Sequence, residues 1–209
     1  REIIFYFVIR MIFMSQIQKV AIIGGNRIPF AKSGTAYAAA SNVDMLTATL
    51  DGLIDRFGLA DKQIDEVVAG TVLKHSRDLN LTREALLNTA LNPTTPAYDI
   101  SQACGTGLQA VFAAANKIAL GIIDSGIAGG TDTTSDAPIA LGDGLRKPLL
   151  RLSASKTAKD RLSALATLNP RDLLAFPQNG EPRTHLSMGE HQAITALEWN
   201  ITRLAQDQL

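Results

Sequence analysis

Along the chain, short apolar runs alternate with segments in which apolar positions recur at helical spacing. Lys19 to Gly24 is apolar enough for a strand, and Gly24-Gly25-Asn26 breaks it. Ser41 and Asp44 offer a cap and an early acid for a helix whose Val43, Leu46, Leu50, Leu53, Ile54 and Phe57 share a face, ended by Gly58. Asp65 to Val72 predicts a second strand, and Leu81 to Leu91 a second helix stopped by Asn92-Pro93. Tyr98 to Ser101 leads as a short strand into a turn at Cys104. The following helix, through Leu108, Ala110, Val111, Phe112, Ala113, Ala114, Ala115, Ile118 and Ala119, is apolar or small nearly all round, which predicts burial on every side between two layers. Ile122 to Gly129 predicts a further strand, closed by Gly129-Gly130. Alternating strands and helices of this kind define an α/β domain.

After Ser135 the character changes. Residues 136 to 187 read as irregular, with Pro138, Pro148, Pro170, Pro177 and Pro182, and with Arg146, Lys147, Arg151, Lys156, Lys159 and Arg161 clustered among few acids. Glu190 to Leu209 has the period of an amphipathic helix or helix pair. At the other end, Ile3 to Ile9 is an apolar run between Arg1 and Arg10, far short of the ~20 apolar residues of a spanning helix and followed by no small-x-small cleavage site. Residues 1–13, up to Met14, therefore read as an extension upstream of the fold, with a targeting or membrane-surface segment as the alternative.

Composition narrows the function classes. With 46% hydrophobic and 19% charged residues over 209 positions, the chain has a globular composition and enough length for one well-buried core or for one domain plus part of a second. Lys plus Arg 20 against Asp plus Glu 20 gives no global footprint for nucleic acid or an anionic membrane. The single cysteine excludes an internal disulfide and a cysteine-rich zinc site, and suits a reducing compartment, by default the cytoplasm.

That cysteine is the candidate chemistry. Cys104 sits in a strand-to-helix turn, where Gly105 and Gly107 let the backbone come close to a ligand and where free helix N–H groups face an anion. An inert core cysteine is the alternative reading. A helix N-terminus is worth about 0.3 to 2 kcal/mol to an anion, too little to ionise most of an ordinary thiol at neutral pH, so a nucleophile here wants a basic partner as well.

Gln102-Ala103-Cys104-Gly105-Thr106-Gly107-Leu108-Gln109-Ala110 closely resembles the Cys-Gly-Ser-Gly-Leu motif of the thiolases. Three further stretches follow in that family's order. Arg27-Ile28-Pro29-Phe30 is similar to its Arg-Thr-Pro-Phe stretch, and Gly129-Gly130-Thr131-Asp132-Thr133-Thr134-Ser135-Asp136-Ala137-Pro138 to its Gly-Gly-x-Glu-x-Met-Ser-x-x-Pro stretch. Ser187-Met188-Gly189 with Ile194-Thr195-Ala196 is similar to its Met-Gly-x-Thr-Ala segment.

The resemblance implies a thiolase-like layered fold: an N-terminal core domain over 14–135 and a partial loop domain over 136–209, before a second core domain. It implies an acyltransferase acting on acyl-CoA and coenzyme A, with Cys104 as the acylated nucleophile, Met188 near the acyl pocket, coenzyme A thioester as substrate and no cofactor or metal. It also implies a homo-oligomer, dimer or tetramer, while the balanced charge leads to the expectation of no nucleic-acid or membrane partner. Met188 reads equally as ordinary core. The basic residues 146–161 suit the phosphates of coenzyme A, or form a solvated face. The family's Asn-Glu-Ala-Phe, Gly-His-Pro and second-cysteine motifs are not among these residues, and His75, His185 and His191 stand in other contexts, so this chain alone is expected to be inactive. A ketoacyl synthase of the same superfamily and a non-catalytic truncated piece remain as alternatives. If residues 1–13 are outside the fold, starting the chain at Met14 should leave the melting temperature unchanged; a drop of several degrees would place the apolar run in the core.

Overall fold

The computed structural model describes residues 17–209; the apolar run before Arg10 and the proposed start at Met14 lie outside the described residues. The chain forms two compact units, one ending at Pro138 and the other Ile139–Leu209. The first contains α1 (Asn42–Phe57), β1 (Val67–Ala69), α2 (Leu81–Leu87), β2 (Ala97–Asp99), α3 (Thr106–Ala119) and β3 (Ile127–Ala128). Its strands form a parallel sheet of order β2-β1-β3, with Val67 opposite Ala97 and Ile127, and Val68 opposite Tyr98 and Ala128.

The central strand explains the layering. All of Val67, Val68 and Ala69 are buried, and because strand side chains alternate they serve opposite faces. Val67 and Ala69 join Leu46, Leu50 and Ile54 of α1 and Leu81, Ala85 and Leu86 of α2 in one apolar cluster, while Val68 packs with Ala110 and Ala114 of α3 in another. The result is two helices on one face of the sheet and α3 on the other.

Local chemistry fixes the helix ends. Ser41 and Asp44 form a reciprocal capping box at α1, whose last turn closes on Gly58 at φ 59°. The seven-residue α2 is too short to stand by propensity and is held from outside. The Asp99 carboxylate, from the end of β2, accepts from Leu81 N (2.9 Å) and Thr82 N (2.8 Å), and pairs with Lys74 Nζ at 2.7 Å. Asn80 Oδ1 accepts from Arg83 N, whose guanidinium in turn reaches the carbonyls of Thr95 and Pro93. Burial works against ionisation of Asp99, but its bonds from Lys74, Thr82 and Leu81 together outweigh it and leave the carboxyl below its ordinary 3.8.

Several expectations are corrected. Lys19 to Gly24 pairs with no strand among the described residues: Ile22 and Ile23 are exposed, and the segment is tied at its flanks by Gln18 N to the Ala119 carbonyl, Arg56 to that of Gly25 and Asn26 Nδ2 to that of Thr49. An apolar run becomes a strand only where it joins a ladder, and among the described residues this one pairs with neither outer edge of the β2-β1-β3 sheet. The second helix ends at Leu87 rather than Leu91, because Thr89 turns its hydroxyl back to the Leu86 carbonyl and the chain folds into a turn. The strand expected over Ile122 to Gly129 shortens to Ile127–Ala128, after Asp65 captures the amides of Asp124 and Ser125. α3 is not buried all round: Ala110 and Ala114 pack on β1, whereas Leu108 and Phe112 are 61% and 51% exposed.

Residues 136–187 are also more regular than their prolines suggest. The second unit holds β4 (Ala140–Leu141), α4 (Asp143–Ala154), α5 (Ala158–Leu165), β5 (Leu174–Ala175), α6 (Met188–Glu198) and α7 (Arg203–Asp207), with β4 and β5 antiparallel. Pro148 lies inside α4, where it cannot donate to the Gly144 carbonyl. That carbonyl accepts instead from Asn169 N at 3.0 Å, so the bond the proline removes is replaced from outside the helix. Thr157 caps α5 and Ser187 with Glu190 boxes α6, and the helix pair expected over Glu190 to Leu209 is present as α6 and α7.

Because the folded carboxyl of Asp99 is lowered, its contribution is complete above the ordinary value near 3.8 and is lost as pH falls through the depressed one. Asp99→Asn should cost about 1 kcal/mol, a few degrees in melting temperature, near neutral pH. The gap from wild type should narrow as the pH is lowered past 4, measured by melting curves across pH 3 to 7; a gap that widens in acid would exclude this role.

Candidate functional site

The loops that leave the carboxyl ends of the three parallel strands converge. Ile100 N donates to the Ala69 carbonyl, Gly129 N to that of Val68 and Thr131 N to that of Gly70, extending the pairing past the strands proper. A Cβ on Gly70 would overlap the Ile100 carbonyl oxygen and the Thr106 methyl, and one on Gly130 would lie 2.8 Å from the Gly70 oxygen. Glycine at these two positions is what allows the backbones to touch.

Beside this contact the chain turns into α3. Gly105 N donates to the Gln102 carbonyl at 2.9 Å, closing a tight turn with Ala103 and Cys104 at its centre. Ala103 is left-handed, φ 44°, a conformation that strains a non-glycine residue. Thr106, first residue of α3 and buried, clamps the turn: its hydroxyl donates to the Ala103 carbonyl (2.7 Å) and accepts from Gln102 N (2.8 Å). Cys104 is exposed. The N–H groups of Gly107 and Leu108, in the first turn of α3, meet no acceptor among the described residues.

Cys104 borders an open recess of about 270 Å³ together with Ala103, Thr106, Gly107, Gly70, Val72, Gly130, Thr131 and Asp132. The wall opposite the turn is held by Asp132, whose carboxylate accepts from Thr71 Oγ1 (3.0 Å), Val72 N (2.6 Å) and Leu73 N (2.9 Å). Asn42, at the start of α1, adds bonds from its Nδ2 to Thr71 Oγ1 and the Leu73 carbonyl. Farther along the same loop, His75 Nε2 lies 3.1 Å from Asp136 Oδ1, and Arg77 pairs with the other oxygen at 2.8 Å. The loop after β1 is thus fastened twice to the Gly129–Pro138 segment.

The far end of α3 is anchored too. Lys117 pairs with buried Glu66, which also accepts from Tyr98 Oη at 3.1 Å, and the ammonium sits 4.8 Å from the centre of the Tyr98 ring. The Glu66 carboxylate raises Lys117 above its ordinary value.

Of the residues singled out from sequence, Cys104 lies in the first unit and Met188 in the second, where it opens α6 and is 63% exposed. His75 is engaged with Asp136, and His191 Nε2 is 3.1 Å from Thr184 Oγ1; neither they nor His185 lines the recess. In the basic cluster, Arg146 and Lys147 both pair with Asp143, whose carboxyl is lowered to about 2 by Lys147 and then Arg146. The sequence by itself assigns no role to Gly70, Thr106 or Asp132. Their only sequence signals are positional: a glycine directly after a buried strand, a threonine two residues past the cysteine, and an acid within the Gly-Gly segment. Among the described residues no cluster of side chains could hold a metal ion, and no helix is long and apolar enough to cross a membrane.

A layered α/β domain that presents a cysteine at a glycine-lined turn over its strand ends is the class this geometry defines. The family model for the thiolase N-terminal domain matches residues 20–209, and the chain belongs to the thiolase family. It is 38% identical over 192 residues to the 3-ketoacyl-CoA thiolase of Aliivibrio fischeri (strain MJ11), covering 91% of this chain and 43% of that protein. The 3-ketoacyl-CoA thiolase of Photorhabdus laumondii subsp. laumondii is likewise 38% identical, with 91% and 44% covered. The crystal structure of the Bacillus anthracis acetyl-CoA acetyltransferase superposes with a TM-score of 0.72 at 25% identity, over 92% of this chain and 45% of that one. The chain thus spans less than half the length of these relatives.

The close contact at Gly70 gives a direct test. Gly70→Ala must push apart the Ile100 carbonyl and Thr106, at a cost of about 1–3 kcal/mol. Its melting temperature should fall well below that of a Gly107→Ala control, where a Cβ meets nothing within 4 Å; equal values would contradict the packing described.

Proposed function

We propose that the protein to which these residues contribute the N-terminal half transfers acyl groups between coenzyme A thioesters, through an acyl intermediate on Cys104. The observation that carries this reading is the exposed thiol at the start of α3, beside an open recess and next to unpaired helix N–H groups. Family membership and two 3-ketoacyl-CoA thiolase relatives support it.

In the thiolysis direction the Cys104 thiolate attacks the 3-keto carbon of a 3-ketoacyl-CoA. The bond between C2 and C3 breaks, and its electron pair stays on C2, which takes a proton to leave as acetyl-CoA. The acyl group, now a thioester on Sγ, passes to the sulfur of free coenzyme A and Cys104 is released. Condensation of two acetyl-CoA molecules is the reverse. Proton transfers at C2 and at the thiol need groups worth about 10²- to 10⁴-fold each. Among the described residues no histidine, lysine or arginine borders the recess, which favours inactivity of this chain by itself. A place for Met188 near the acyl pocket rests on the motif resemblance alone, as does assembly into a homo-oligomer; the resemblance assigns none of the individual basic residues of 146–161 to coenzyme A.

Exposing the full-length protein to acetyl-CoA should add one acetyl group by intact-mass measurement, and Cys104→Ala should abolish the adduct while keeping the native circular dichroism spectrum. A stoichiometric adduct on Cys104→Ala would overturn the assignment.

A further inference from the structure

We infer that Thr106 is a positioning residue for Cys104: its buried hydroxyl, bonded to the residues before the cysteine, holds Ala103 left-handed and so sets the direction in which the thiol leaves the turn. The inference deepens the acyl-cysteine reading and rests on it for its kinetic arm only.

The geometry is closed on itself. A threonine hydroxyl has one proton to give, and here it goes to the Ala103 carbonyl at 2.7 Å; its lone pair takes the Gln102 N–H at 2.8 Å. The Thr106 N–H reaches the same Ala103 carbonyl at 3.1 Å, and Gly105 N that of Gln102. Both peptide groups flanking Ala103 are therefore fixed, and the residue between them sits at φ 44°. An alanine leaves that region unless its surroundings over-determine it. Thr106 is 5% exposed, so nothing in solvent can replace its hydroxyl, and its methyl abuts Gly70. Cys104 follows the strained residue directly, so relaxation of Ala103 to the right-handed region would swing the thiol away from the recess wall at Gly130–Asp132.

Thr106→Val keeps the shape and removes both hydroxyl bonds; Thr106→Ser keeps the bonds and removes the methyl. The readout is the second-order rate of Cys104 alkylation by iodoacetamide across pH 6–9 in the full-length protein, alongside kcat and KM for thiolysis of acetoacetyl-CoA. Thr106→Val should lower the alkylation rate and kcat by about tenfold or more with KM nearly unchanged, and Thr106→Ser should stay within about threefold of wild type. Adding Ala103→Gly to Thr106→Val should restore part of the loss, about threefold, and leave the rate at least about threefold below wild type, since glycine takes the left-handed conformation without strain but is not held in it. Should Thr106→Val not fold, the double variant carries the test: it should remain below the wild-type rate by at least about threefold. Wild-type alkylation in either valine-bearing protein, or a serine variant as slow as the valine one, would overturn the inference and leave Thr106 a packing residue. Failure of wild type to form an acyl adduct would refute the acyl-cysteine reading instead, without touching the alkylation result.

Discussion

The first unit depends on one close approach, that of Gly70 to the Ile100 carbonyl and to Gly130. Parallel strands must be spaced for their ladders, yet here the loops beyond them are drawn together until there is no room for a side chain at 70 or 130. The three strand ends, the start of α3 and the Gly129–Pro138 segment then share one small volume. Ligands of open parallel sheets gather outside the carboxyl ends of the strands, and the recess beside Cys104 occupies that position. The backbone contact makes a floor, the Thr106 clamp sets the turn, and Asp132 fastens the wall.

Small side chains transmit this arrangement through α3. Ala110 and Ala114, both buried, let the helix axis lie close to Val68, and the Lys117–Glu66–Tyr98 cluster fixes its far end. A helix held at both ends on one face cannot rotate to bury its other stripe. Leu108 and Phe112 consequently remain open, although the sequence is as apolar there as on the packed side. The pattern registers how apolar a helix is, and only the neighbours available decide how much of it is covered.

Much of this was legible in the chain itself. The capping box at Ser41, the glycine stop at Gly58, a strand within Asp65–Val72, which shortens to Val67–Ala69, and the turn before α3 follow from local rules that need no partner. What escaped depends on pairing or on contacts distant in sequence. Lys19–Gly24 has strand composition but pairs with no strand among the described residues. α4 survives Pro148 because Asn169, over twenty residues later, bonds the freed Gly144 carbonyl. Asp99 reads as a residue within the strand expected over Tyr98 to Ser101 and acts as the cap of a helix that precedes it. At the site, Cys104 announces itself by type, whereas Gly70, Thr106 and Asp132 are common residues whose importance arises only when the loops meet.

The electrostatics of the recess follow from the same meeting. Asp132 brings a carboxylate to the wall of a recess that Cys104 also borders, where no basic side chain among the described residues stands to pair with it. Its carboxylate is instead spent on three donors, Thr71 Oγ1 and the amides of Val72 and Leu73, which spread its charge into the loop they belong to. On the other side the first-turn amides of α3 remain open toward an anion. Among the described residues the recess thus joins a helix side with open first-turn amides to a wall whose one carboxylate is tied back into its own loop.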